Sequence, residues 1–213
     1  MTAEHDWQAW RRGKRRELIA GRRAIAPSDR AARNTAIDSL LEAGFAAVGG
    51  HTVAFCWPFA AEPEPRFAVR RWRAAGSVAA LPEVVGRRQP LAFRAWWPGA
   101  PMTAGVYDIP VPHGTELVTP AVAVVPVNGF DAAGYRLGYG GGYFDRTLAA
   151  LPVRPLCIGL GYEIARLATI HPQPHDVPFD FMVTEAGIAV RRDGGLRALD
   201  PSAAAAEVAR RLQ

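Results

Sequence analysis

The stretch Arg136-Leu137-Gly138-Tyr139-Gly140-Gly141-Gly142-Tyr143-Phe144-Asp145-Arg146 limits most sharply what this chain can fold into. Four glycines within five residues free the backbone to take positive φ and to approach a ligand closely. The apolar run Ala121 to Val127 reads as a buried strand feeding the turn, and Tyr143 to Leu151 reads as a helix leaving it. Such a turn gathers free N–H groups and the positive end of a helix dipole at one point, which favours phosphate. Arg136 and Arg146 flank it with fixed charge, and Asp145 supplies a carboxylate able to hold Mg²⁺. The local chemistry points to a nucleoside-triphosphate site.

The turn matches neither common phosphate fingerprint. A dinucleotide loop needs a third glycine where Tyr143 stands, and a Walker A loop needs Lys and Ser or Thr where Tyr143 and Phe144 stand. A tight turn without a ligand stays open as the plainer alternative, as does a helix-dipole role alone for Asp145. A second carboxylate, Asp176 in His175-Asp176-Val177-Pro178, would suffice with Asp145 for Mg²⁺, which takes one or two protein carboxylates plus phosphates. His171 and His175 lack ligand spacing and read as loop residues.

The 213 residues suffice for one sizeable core, and 49% hydrophobic with 21% charged is ordinary for a globular protein. No apolar run approaches the ~20 residues of a membrane span. The first residues carry no apolar signal core, so a cytoplasmic location is expected. Cys56 and Cys157 sit in separate apolar runs and read as buried, reduced thiols. A net charge of +5 points to anionic partners, and 24 of the 25 basic residues are arginine. Arg11-Arg12-Gly13-Lys14-Arg15-Arg16 reads as a solvated face, an RNA patch or a lid over phosphate, with residues 11 and 15 on one helix face. No aromatic-basic RNA motif accompanies it, so nucleic acid is not an expected partner.

Helical patterns cover Asp6 to Ala24, Asp29 to about Ala43 and Arg66 to Ala75. Strand patterns cover Thr52 to Trp57, Val78 to Leu81, Leu91 to Trp97, Leu156 to Leu160, Phe179 to Thr184 and Ile188 to Arg191. Pro98 to Pro120 reads as a long irregular connection, and Pro201 to Leu212 as a peripheral helix. The alternation predicts one domain over residues 1–213: a Rossmann-like three-layer α/β/α sandwich with a mostly parallel sheet. Its ligands would sit beyond the carboxyl ends of the strands, where the glycine turn, the Glu62 loop and the Tyr162-to-Asp176 loop converge.

Taken together these motifs resemble the 5-formyltetrahydrofolate cyclo-ligase family, also called methenyltetrahydrofolate synthetases. Val124-Val125-Pro126-Val127-Asn128-Gly129-Phe130-Asp131 followed by Arg136 to Asp145 is similar to the family signature. The likeness extends to Arg23-Ala24-Ile25, Glu62-Pro63-Glu64, Ala80-Leu81-Pro82, His175-Asp176-Val177-Pro178 and Thr184-Glu185. The resemblance implies ATP- and Mg²⁺-dependent conversion of 5-formyltetrahydrofolate, with or without a polyglutamate tail, to 5,10-methenyltetrahydrofolate. The formyl oxygen would attack the γ-phosphate, and N10 would then close the ring with loss of phosphate. An amide oxygen is a poor leaving group until phosphorylated, so catalysis would be mostly positioning and charge stabilisation.

Carried over residue by residue, Arg136, Leu137, Gly138, Tyr139, Gly140, Gly141, Gly142, Tyr143 and Phe144 would hold the ATP phosphates, with Arg136 and Tyr143 nearest the chemistry. Asp145 and Asp176 would hold Mg²⁺. Glu62 would bind the folate by a charge-assisted hydrogen bond, and Trp57, Phe59, Tyr107, Tyr139 and Tyr143 are the candidate ring contacts. The N-terminal helices, residues 6–43, would lie over the nucleotide, with Arg11, Lys14 and Arg15 as phosphate contacts. Four positions depart from the family pattern: Arg11 where Lys is usual, Lys14 where an apolar residue is usual, Phe144 for a frequent Tyr, and Val111 for a usual Glu. The expected protein is a monomer acting on a small molecule, without a membrane. The alternatives are a non-catalytic nucleotide- or RNA-binding relative and an ATP-dependent enzyme on another amide-bearing metabolite.

Overall fold

The computed structural model describes residues 3–213, without the side chains of residues 3–6 and of Tyr107. Helix α1 (Ala3–Arg23) leads to α2 (Pro27–Gly44), which starts on Pro27, whose fixed φ suits a first helical turn. Strand β1 (Thr52–Phe55), α3 (Arg66–Ala74) and β2 (Val78–Glu83) form a βαβ unit with Val53 opposite Ala79. Antiparallel β3 (Ala92–Trp96) follows, then a hairpin of β4 (Met102–Ala104) and β5 (Pro110–Pro112). Next come β6 (Val122–Pro126), the pair β7 (Gly129–Asp131) and β8 (Arg136–Leu137), α4 (Tyr143–Ala150) and β9 (Leu156–Leu160). Strand β10 (Arg166–Leu167) precedes the meander β11 (Phe181–Thr184), β12 (Gly187–Arg192) and β13 (Gly195–Leu199), and α5 (Pro201–Arg211) ends the chain's regular structure.

Eight strands form one sheet in the order β13-β12-β11-β9-β6-β1-β2-β3. The five from β11 to β2 are parallel, and antiparallel strands guard both edges. The period of two sorts the side chains between the faces. Val53, Phe55, Val122, Val124, Ile158, Leu160, Phe181 and Val183 join Ile37, Leu41, Trp72 and Val208 of α2, α3 and α5 in one core. Ala123, Val125, Cys157 and Met182 face the other way, onto Phe130 of β7 and Leu148 of α4. The result is the expected three-layer α/β arrangement, its second outer layer made of α4 and the small sheet β10-β7-β8. No described helix is long and apolar enough to cross a membrane.

Four readings change. The glycine turn is not fed directly by the apolar strand, because the β7–β8 hairpin intervenes and Arg136-Leu137 themselves form β8. The C-terminal helix is not peripheral: Ala204 and Val208 are fully buried against the core. Strand β13 was not expected, since its exposed edge position leaves little apolar pattern. Its signal is the turn before it, where Asp193 and Gly194 both take positive φ (50° and 74°), as a two-residue hairpin turn requires. The two N-terminal helices also part company. Only α1 borders the cavity described below, whereas α2 buries Ile37 and Leu41 in the core beside α5.

Candidate active site

A cavity of ≈ 1020 Å³ opens beyond the carboxyl ends of β1, β2 and β6. Residues 138–146 form one wall, Cys56 to Glu62 another, α1 and Pro174 to Val177 a third, and the β4–β5 hairpin a fourth. The Pro98-to-Pro120 connection is thus part of the site, through Thr103 to Val106 and Ile109 to Val111.

The glycine wall needs its glycines at two positions in particular. Gly140 has φ 96° and Gly142 φ 62°, in the left-handed region that side-chain-bearing residues avoid. Gly142 is the N-cap of α4, and no side chain caps the helix, so its first-turn N–H groups face an anion's natural place. Arg15 reaches this wall from α1: its Nε donates to Gly138 O at 2.6 Å, and its guanidinium lies 3.1 Å from where a Cβ on Gly140 would be. Burial lowers the Arg15 pKa, with Arg11 and Arg12 adding repulsion, so a bound anion would relieve the charge. Arg146 lies over the Tyr143 ring at 5.4 Å and donates to Gly141 O, and its Nε is buried without a partner among the described residues.

The remaining predicted cations are engaged by the protein. Arg136 donates to Asp145 Oδ1 (2.7 Å) and Val177 O (2.6 Å), bracing the turn against the 174–177 segment. Arg11 donates to Ile170 O, His171 O and both oxygens of Asp176, and its guanidinium covers the Trp7 ring. It lines the cavity and at the same time clasps α1 to the 170s loop, which takes four of its five N–H donors. Lys14 is a correction: it pairs with Glu17, one turn along α1, and does not line the cavity. A short i,i+3 partner within the helix draws it there.

The carboxylates differ in the same way. Among the described residues no group of three or more His, Cys, Asp or Glu side chains is placed to hold a cation unaided. Asp145 takes its hydrogen bonds, from Arg136 and Val177 N–H, on Oδ1, and Oδ2 takes none from the described residues. One free carboxylate oxygen beside a phosphate-binding turn fits Mg²⁺, which draws most of its shell from phosphates and water. Asp176 has both oxygens occupied, by Arg11 and by Gln173 N–H.

Opposite the glycine wall, Glu62 is buried with a 3% exposed side chain. Its Oε1 accepts from the Tyr139 hydroxyl at 2.7 Å and its Oε2 from Phe59 N–H at 3.0 Å. Burial pushes the Glu62 pKa up, opposed by the Tyr139 hydrogen bond and by the Arg22 charge. Two consecutive non-glycine residues before it, Ala60 and Ala61, take positive φ (50° and 62°), strain that clusters at functional loops. Trp57 lies edge-on to Trp96 with the Arg66 guanidinium over its ring, and Phe59 tilts against Tyr139. Both line the cavity, as do Tyr143 and Phe144. Tyr107 belongs to the turn Val106–Asp108, and its side chain lies outside the described residues.

The residue that sequence reasoning missed is Arg22, buried at 5% exposure and donating to Ala60 O, Val127 O and the Tyr139 hydroxyl. Its signal was the spacing from Arg15: seven residues return a helix to nearly the same face.

The 5-formyltetrahydrofolate cyclo-ligase family model matches residues 7–185 of this chain. The chain belongs to that family. A 5-formyltetrahydrofolate cyclo-ligase of Mycolicibacterium smegmatis is 28% identical over 187 residues, 84% of this chain and 95% of the relative. One of Haemophilus influenzae is 32% identical over 100 residues, spanning 44% of this chain and 54% of the relative. Among solved structures, the 5,10-methenyltetrahydrofolate synthetase of Aquifex aeolicus superposes with a TM-score of 0.74 at 25% identity, covering 89% of this chain and 96% of that one. The corresponding protein of Mycoplasma pneumoniae, at 20% identity, shares the fold with a TM-score of 0.67 over 82% of this chain and 98% of its own. The matched region of the cyclo-ligase family model contains every wall of the cavity.

Proposed function

We propose that this chain is a 5-formyltetrahydrofolate cyclo-ligase, closing 5-formyltetrahydrofolate to 5,10-methenyltetrahydrofolate at the expense of ATP in the presence of Mg²⁺. The observation that carries the reading is the single cavity in which an uncapped helix N-terminus with Arg15 and Arg146 faces a buried carboxylate among aromatic rings. One wall suits a polyphosphate and the other a flat heterocycle bearing N–H donors.

The roles follow from that geometry. The N–H groups of the glycine turn and the Arg15 guanidinium would cradle the phosphates, and Tyr143 and Arg146 would bound the transferred group. Asp145 would hold Mg²⁺, which when bound would supply positive charge to offset that of the phosphate oxygens. Glu62 would accept from the pterin N–H edge, and Trp57 and Phe59 would hold the rings so that the formyl oxygen points at the phosphate wall. Arg136 fixes Asp145 and Arg11 fixes α1, so both would act on the reaction by positioning.

The test is the near-ultraviolet absorbance of the methenyl product, followed with 5-formyltetrahydrofolate and ATP, with and without Mg²⁺. Mg²⁺-dependent product formation is expected. No product at micromolar enzyme would overturn the reading, and turnover only with other amide-bearing metabolites would move it to a different substrate.

A further inference from the structure

Tyr139 occupies an unusual place between the two walls. It belongs to the glycine turn by sequence, between Gly138 and Gly140, yet its hydroxyl leaves the turn and donates to Glu62 Oε1 at 2.7 Å. The Tyr139 hydroxyl oxygen itself accepts from Arg22 Nη2 at 2.9 Å. Arg22 in turn holds Ala60 O and Val127 O, at the strained loop before Glu62 and at the end of β6. The Tyr139 ring also leans on Phe59 with centroids 6.0 Å apart. One side chain therefore joins the phosphate wall to the carboxylate wall by a directional bond. It does so at a site where Arg22 and Glu62 are buried and 3.7 Å apart, so that losing the bond is felt by both.

A ligand seated on the glycine turn limits the positions open to residue 139. Fixing residue 139 fixes the hydroxyl, and with it the orientation in which the Glu62 carboxylate, its Oε2 held by Phe59 N–H, meets a second ligand. Two sites that each order a shared element bind cooperatively even when the ligands do not touch. We propose that Tyr139 is the positioning residue that couples the two half-sites, so that a nucleotide phosphate on the glycine turn tightens binding of a heterocycle at Glu62, and the reverse. The identities of the two ligands rest on the cyclo-ligase reading; the coupling rests on the hydrogen bonds.

Tyr139→Phe keeps the ring and its contact with Phe59 while removing both hydroxyl bonds. Arg22 and Glu62 remain neighbours, so Glu62 keeps its counter-charge. The experiment measures the Kd of 5-formyltetrahydrofolate with and without a non-hydrolysable ATP analogue plus Mg²⁺, and the Kd of the analogue with and without 5-formyltetrahydrofolate. In the wild-type chain each ligand should tighten the other about fivefold or more, by the same factor in both directions. In Tyr139→Phe, and in Tyr139→Met as a second chain lacking the hydroxyl, the factor should fall towards one while each ligand alone still binds. Equal coupling in wild type and both variants would overturn the proposal, as would wild-type binding of both ligands without coupling. Failure of the wild type to bind either ligand would overturn the cyclo-ligase reading and the coupling with it.

Discussion

Glu62 is a carboxylate held where its charge is disfavoured, and that sets its pH behaviour. Its pKa in the folded state is raised above the ordinary glutamate value, so between those two values the native chain binds more protons than the unfolded chain. Stability from this group is therefore complete below the ordinary value and is lost as pH rises through the raised one. Glu62→Gln removes this slope. The melting temperature of the wild type relative to Glu62→Gln should fall as pH rises from the ordinary glutamate range, and a constant difference would show that Glu62 does not titrate abnormally. The same variant should raise KM for the folate roughly tenfold or more, the usual worth of a hydrogen bond to a charged group, with a smaller change for ATP. Arg136, Arg11 and Asp176 illustrate the opposite case. Sequence shows their charge, but their partners are backbone carbonyls and side chains up to 165 residues away in the chain.

At the scale of elements, the loop between β1 and α3 carries the most strain in the site. Ala60 and Ala61 both sit in left-handed backbone, which costs a side-chain-bearing residue about 1–2 kcal/mol. The loop persists because Glu62 N–H donates to Phe59 O at 3.0 Å, Glu62 Oε2 accepts from Phe59 N–H, and Arg22 holds Ala60 O. Relief of about 1–2 kcal/mol of strain, less about 0.4–1 kcal/mol for the extra entropy of the unfolded chain, should leave Ala61→Gly more stable by up to about 1 kcal/mol and raise the melting temperature by up to about 2–4 °C. A drop on thermal denaturation would mean that the Ala61 methyl contributes packing that outweighs the strain. The glycine turn shows the reverse economy: Gly140 and Gly142 already occupy the positions where positive φ is required.

For the molecule as a whole, the clasp between α1 and the 170s loop decides whether Arg15 stays over the glycine turn. Arg11 and Asp176 are both nearly buried, and breaking such a pair by removing one partner is costly. Asp176→Asn should destabilise the chain by about 3 kcal/mol, near the low end for buried pairs because Arg11 keeps Ile170 O and His171 O. It should also speed amide hydrogen exchange in α1 and weaken nucleotide binding, with folate affinity changed less. Unchanged exchange in α1 together with a raised Mg²⁺ requirement would instead make Asp176 a metal ligand.

The sequence by itself determined the alternating α/β order, the sheet's main strands, the cyclo-ligase family and the positions where a phosphate-binding turn must have glycine. Those are local properties, written in hydrophobic period, in glycines that take positive φ without strain and, for the family, in motifs that resemble its signature. Tertiary structure decided the rest: that Ala204 and Val208 of α5 are core, that β7 and β8 come before the turn, that Lys14 pairs within α1 while Arg22 is buried against Ala60, Val127 and Tyr139. It also divided the charged residues into those left facing the cavity and those engaged elsewhere. An arginine's pattern in sequence is the same whether its guanidinium meets phosphate, a carboxylate or a carbonyl, and the partner is set only when distant segments are brought together.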